Sequence, residues 1–162
     1  MTSDLPRSEA TQTSSRIARR GFVLGGLAVV GVAALGSARW FNVSAQVAAG
    51  DLSAPDAHEA ALAGAITLVD IRRPDEWART GVPEGGVGID MRRDDFVDEL
   101  LAQTGGDRDQ PVALICARGV RSARLSARLQ AAGFTKIIDV PEGMLGSGAG
   151  PGWVKRGLPV VR

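Results

Sequence analysis

One cysteine and one histidine in 162 residues leave several chemistries without material. A disulfide framework needs paired thiols, and a Cys/His zinc site needs several ligands of those two types. The lone His58 falls on a predicted helix at a packing or solvent-facing position, so a Ser–His–Asp triad lacks its base. Charge of one sign is also missing. Nineteen Lys and Arg stand against 18 Asp and Glu, a formal +1, which provides no strongly basic field for holding nucleic acid. Twenty-one glycines and eight prolines predict many turns, but they follow no fixed period, so neither a repeat array nor a collagen-like chain is present. What remains is an ordinary globular composition, 44% apolar and 23% charged, long enough for one domain.

The first forty-five residues read as an address. After a polar stretch, Met1 to Ser15, come Arg16, Arg19 and Arg20, then the uncharged run Phe22 to Ala38, 17 residues with four glycines. A basic segment, an apolar core and small residues beyond it make up an export signal. Ala18-Arg19-Arg20-Gly21-Phe22-Val23-Leu24 resembles the twin-arginine translocation signal. Val43-Ser44-Ala45 offers a cleavage site, and Gly36-Ser37-Ala38 a second. Residues 1–45 are therefore expected to be a twin-arginine-type signal peptide recognised by the export machinery. The alternative is a retained anchor, since about 17 residues is the lower limit for spanning a bilayer. Either way the domain, residues 46–162, is expected in the periplasm or elsewhere outside the cytoplasm, with membrane contact only if the signal is kept. That remainder holds 14 basic and 16 acidic residues, a formal charge of −2, and has no reason to seek DNA or anionic lipid.

Within the domain, strand and helix patterns alternate. Ser53 caps a helix over Pro55 to Ala63 that stops at Gly64. Ala65 to Ile71 is a β-branched apolar run, and Pro74-Asp75-Glu76-Trp77 opens a short helix with acids in its first turn. Val87 to Asp90 suggests a short strand, and Asp94 to Gln103 an amphipathic helix ended by Gly105-Gly106. Val112 to Cys116 is the most apolar strand candidate and is placed centrally. A helix from Ser122 to Ala132 and a strand from Lys136 to Val140 complete the pattern. Such alternation predicts an α/β domain with a mostly parallel sheet and helices on both faces.

In sheets of this kind ligands bind beyond the carboxyl ends of the strands, and Cys116 lies at that end of the central one. The loop after it, Ala117-Arg118-Gly119-Val120-Arg121, leads directly into a helix. Successive amides there make a concave nest for an anion, and Gly119 lets the backbone curl inward. The helix terminus, Arg118 and Arg121 surround the sulfur with positive potential, conditions that lower a thiol pKa and dispense with a general base. Cys116 is the candidate nucleophile, Ala117 to Arg121 the candidate binding loop, and Arg72 a further, weaker candidate for the anion. No metal and no cofactor are expected. Asp70 reads as a local anchor through Arg72 or backbone amides, Arg124 and Arg128 as a solvated helix face, and Trp77 and Trp153 as core.

Asp70-Ile71-Arg72, Asp75-Glu76-Trp77, Val112 to Ser122, Ala123 to Phe134 and Trp153 to Val160 resemble, in order, the single-domain rhodaneses, from about residue 53 to 162. The resemblance implies a mostly parallel central sheet of about five strands. It also implies that Cys116 takes a sulfane sulfur from thiosulfate or a persulfide, carries it covalently, and passes it to a thiol or cyanide. The amides of Arg118 to Arg121 would then cradle the terminal sulfur, while the side chains of Arg118 and Arg121 hold the sulfite end of the donor. The basic Arg118 is more similar to thiosulfate-using members than to mercaptopyruvate-using ones. Two stretches depart from the pattern. Thr80 to Gly85 lacks the usual histidine of that turn, and Glu142 to Trp153 is longer and richer in glycine than usual, a rim expected to be either mobile or plain turn. Two alternatives stay open. One is a sulfur carrier with little turnover of its own. The other is a phosphatase or arsenate reductase of related fold, whose loop carries five residues between cysteine and arginine where this chain has four.

Overall fold

The computed structural model describes residues 50–162; the export signal, its cleavage sites and the anchor alternative all lie outside them. In chain order the elements are α1 (Ala54–Leu62), β1 (Thr67–Asp70), α2 (Pro74–Thr80), β2 (Val82–Pro83), β3 (Gly86–Gly88), α3 (Phe96–Gln103), β4 (Val112–Ile115), α4 (Val120–Ala131), β5 (Ile137–Asp139) and β6 (Val160–Val161). Strands β3-β1-β4-β5 form one parallel sheet, with β1 and β4 inside it. The central place of β4 follows from its side chains, because Val112 to Ile115 are completely buried and need cover on both faces.

Alternation along the strands sorts the core into two halves. Val69, Ile71, Val112, Leu114 and Cys116 face one way and pack against Phe96 and Leu100 of α3 and Leu125 and Leu129 of α4. Leu68, Ala113 and Ile115 face the other way, onto Ala54 and Ala57 of α1 and onto Met144 and Trp153 of the C-terminal segment. Helices cover both faces, as the β/α alternation predicts. Ser53 caps α1 by accepting from the Asp56 amide, and Trp153, fully buried, donates its indole N–H to the Pro159 carbonyl at 2.8 Å.

Among the described residues that sheet has four strands, where about five were expected. The additional strands, β2 and β6, are two residues each and pair antiparallel with one another in a separate ribbon. Pro83 has no amide to donate, so β2 cannot extend a ladder. At the far edge, β5 is met by a single bond from the Leu52 amide to the Asp139 carbonyl, 3.0 Å. Gly81 turns the chain into the ribbon at φ +79°, where a Cβ would come within 2.8 Å of Val160 Cβ and the Val161 carbonyl. The turn that lacks a histidine of its own receives one from α1. His58 Nε2 lies 2.9 Å from the Glu84 carboxylate, and its ring meets Trp153 edge-on at 5.3 Å.

Candidate active site

Cys116 is the first residue past β4, and its loop closes onto α4 at Gly119, which caps the helix in the left-handed conformation, φ 78° and ψ −20°. α4 therefore starts two residues before the expected Ser122. Its free N-terminal amides and positive dipole end are brought nearer the sulfur. On the other side the loop rests on the segment after β5. Met144 N donates to the Cys116 carbonyl at 2.8 Å, and Leu145 N to that of Ala117 at 2.9 Å. Because a trans peptide sets its C=O and N–H on opposite sides, the amides of Ala117 and Arg118 point away from that segment. Contact here is so close that a Cβ on Gly143 would lie 2.7 Å from the Ala117 carbonyl and 2.8 Å from Arg118 N. Gly143 is a glycine because the loop backbone occupies the space of a side chain.

The sulfur is enclosed. Cys116 is 1% exposed, and the fully buried Ser122 directs its hydroxyl at both Sγ, 3.5 Å away, and the Gly119 carbonyl, 3.0 Å away. Arg121 reaches the sulfur's surroundings from α4, and its guanidinium is fixed by a two-bond pair with Glu76 of α2, Nη1 to Oε2 at 2.8 Å and Nη2 to Oε1 at 2.7 Å. That pairing, chiefly the hydrogen bonds from Arg121, pulls the Glu76 carboxyl down to about 2. Glu76 raises Arg121 in return, with the Cys116 sulfur adding to it. Glu76 also accepts from the Arg73 amide at 3.1 Å, which anchors the first turn of α2. Arg118 is held less tightly, by one bond of 3.4 Å to the Gly146 carbonyl.

Arg72 is placed elsewhere. It is 1% exposed and gives Nε and Nη2 to the Asp70 carboxylate at 2.7–3.0 Å, Nη1 to Thr80 Oγ1 at 2.8 Å, and Nη2 to the Gly81 carbonyl at 2.7 Å. All three guanidinium nitrogens are spent inside the protein, so Arg72 is corrected from a candidate anion ligand to a brace between β1 and the end of α2. Asp70 is the local anchor it was expected to be. The glycine-rich rim is pinned as well. Glu142, 2% exposed, accepts from Ala54 N, Gly152 N and both Nε and Nη2 of Arg156, at 2.7–3.3 Å.

Two contributors were not singled out in the sequence. Glu76 reads there as a first-turn acid, and 45 positions separate it from Arg121. Ser122 reads as a helix start, although its position six places after the cysteine was the available signal.

A parallel α/β sheet with a lone cysteine at the carboxyl end of its inner strand, looped into a helix N-terminus, defines a class of protein that a family comparison then specifies. The model described as Rhodanese-like domain matches residues 53–146, more than half of the chain, and the chain belongs to that family. Among solved structures, the polysulfide-sulfur transferase homodimer of Wolinella succinogenes is similar at 28% identity and a TM-score of 0.51, over 85% of this chain and 90% of its own. A rhodanese-related protein of Thermoplasma volcanium shares 29% identity over 68% of this chain and 96% of its own, TM-score 0.46. A human single-domain sulfurtransferase shares 18% over 67% and 98%, TM-score 0.48. No curated protein matches the chain. At the family level the domain match and the likeness to the Wolinella succinogenes structure support a sulfurtransferase-type enzyme.

Proposed function

We propose that the protein transfers sulfane sulfur through a persulfide on Cys116, by double displacement. The Cys116 thiolate attacks the outer sulfur of thiosulfate. The S–S bond of the donor breaks, and sulfite leaves with the electron pair. An acceptor thiolate or cyanide then attacks the outer sulfur of the persulfide, and the Cys116 thiolate is released. The observation that carries this reading is the union of Cys116, the left-handed Gly119 and the N-terminus of α4, an arrangement that offers amides to one added sulfur atom. In the Wolinella succinogenes relative the sulfur source is polysulfide, so polysulfide joins thiosulfate and persulfides among the donors to compare.

Arg118 and Arg121 take different parts. Arg121 is occupied by Glu76, and its role is to fix positive charge beside the sulfur. Arg118, with one long bond to a carbonyl, is free to exchange that bond for the oxygens of a donor anion. Arg118→Ala is expected to raise KM for thiosulfate roughly 10–100-fold, the worth of one or two charge-assisted hydrogen bonds, with a smaller effect on kcat. An unchanged KM in steady-state cyanide assays rules out that role.

Incubating the purified protein with thiosulfate and cyanide tests the whole reading. Thiocyanate formed over many turnovers supports the enzyme; one sulfur per Cys116 with no turnover makes it a carrier. Export is part of the same proposal and rests on Arg19, Arg20 and the apolar run after them. Replacing both arginines by lysine is expected to hold the protein in the cytoplasm in cell-fractionation blots, and unaltered export removes the twin-arginine reading.

A further inference from the structure

Ser122 stands in the first turn of α4, just past the left-handed cap at Gly119, and is completely buried. Its hydroxyl has one hydrogen and two acceptors in reach: the Gly119 carbonyl at 3.0 Å and Cys116 Sγ at 3.5 Å. The carbonyl does not depend on that hydrogen, because it also accepts from the Ala123 amide at 3.1 Å. Cys116 itself belongs to the apolar cluster that holds Leu114 and Leu125. In such surroundings a change of charge on Sγ is answered by the polar hydrogens nearest to it. The turn that carries this one is fixed, since Ser126 Oγ donates to the Ser122 carbonyl at 2.9 Å. A hydroxyl held beside a buried reacting atom follows the charge there by rotating about one bond.

We propose that Ser122 is a catalytic residue of the second half-reaction, its hydroxyl turning from the Gly119 carbonyl to Sγ as that sulfur becomes a thiolate. The inference rests on the reading of Cys116 as a persulfide carrier and gives that carrier a donor for its leaving group. In the persulfide the negative charge lies on the outer sulfur. Sγ is then neutral and a weak acceptor, and the hydroxyl hydrogen rests on the carbonyl. As cyanide attacks the outer sulfur, the S–S bond breaks and its electron pair collects on Sγ, where the hydroxyl meets it. The products are thiocyanate and a thiolate hydrogen-bonded to Ser122, and the proton stays on Oγ throughout. In the first half-reaction the same bond is given up, because there the thiolate is the attacking group. The hydroxyl therefore favours discharge over loading: its bond forms on the way to one transition state and breaks on the way to the other.

The test uses the full chain, wild type and Ser122→Ala, a substitution that removes the hydroxyl and leaves the Gly119 carbonyl its amide partner. The midpoint of the pH profile for Cys116 alkylation by iodoacetamide is expected to move up by about 0.5–1 pH unit, which is about a 3–10-fold loss of thiolate below it. Single-turnover transfer from the loaded variant to cyanide is expected to slow about 3–10-fold, while loading by thiosulfate does not slow. At a fixed ratio of thiosulfate to sulfite the persulfide-to-thiolate ratio then rises by a similar factor. An unmoved alkylation midpoint, or two half-reactions slowed equally, overturns the proposal. If Ser122→Ala does not fold, the switch is read in the wild type. The buried Ser122 hydroxyl-proton resonance is expected to move downfield as Cys116 ionises and to return when the persulfide forms; one unchanged position in all these states overturns the switch. The two readings fail separately, because alkylation needs no sulfur donor. A wild type that takes no sulfur from thiosulfate, polysulfide or a persulfide removes the transferase, and a shifted midpoint still leaves the hydroxyl bond to the thiolate. Thiocyanate turnover with an unmoved midpoint leaves sulfur transfer and removes the role of Ser122.

Discussion

Cys116→Ser is expected to abolish sulfur transfer, by more than about 10⁴-fold in kcat/KM, while leaving the fold intact. An alcohol at this position is neither ionised nor a partner for sulfane sulfur. No other thiol exists in the chain to take over. The exchange of sulfur for oxygen at a nearly closed position changes volume little, and Ser122 still finds the Gly119 carbonyl. Circular dichroism should superimpose on the wild type. Mass spectrometry after thiosulfate treatment should show one added sulfur on the wild type and none on the variant. Residual turnover above one part in about a thousand would move the chemistry away from Cys116 and leave the loop as a binding site only.

Much of this site was readable because its parts are local. Strand, cysteine, glycine and helix follow one another within ten residues, and each has a physical signature that needs no distant partner. The β-branched run over β1, the apolar run over β4 and the spacing of Phe96, Val97, Leu100 and Leu101 for one helical face are equally local, and the elements formed where the patterns lie. What escaped is non-local. Glu76 earns its place only when α2 is folded against the start of α4, and nothing in Asp75-Glu76-Trp77 tells that acid from its neighbour Asp75. Arg72 has the charge to bind an anion, but whether a guanidinium is free depends on Asp70, Thr80 and Gly81 converging on it. The short ribbon of β2 and β6 joins residues nearly eighty positions apart and has too few side chains to leave a pattern. The glycines of the 142–153 rim suggest freedom of movement. It is the single buried Glu142 that removes it.

Arg72→Ala carries the largest expected cost to stability, because the substitution strands a charge. Asp70 is fully buried, and burial pushes its carboxyl up while Arg72 pulls it down. Removing one partner of a buried ion pair costs roughly 3–5 kcal/mol, most of it from the carboxylate left behind. The sign of the pH dependence follows. Without Arg72 the folded-state pKa of Asp70 lies still further above its unfolded value, so the native state binds the proton more tightly and the deficit is greatest where the carboxyl should be ionised. Urea midpoints of variant and wild type are therefore expected to lie far apart at neutral pH and to converge toward about pH 4–5. A deficit that does not change with pH would mean that packing of the arginine stem, not its charge, is what the fold needs. The same variant should also lose activity at pH values where it is still folded. Arg72 holds Thr80 and Gly81 at the end of α2, and α2 carries the Glu76 that fixes Arg121 beside the sulfur. The brace is thus two steps from the reacting atom, and Arg72→Lys separates its two duties. One ammonium restores the charge beside Asp70 but cannot also span Thr80 and Gly81, so stability should recover further than kcat/KM.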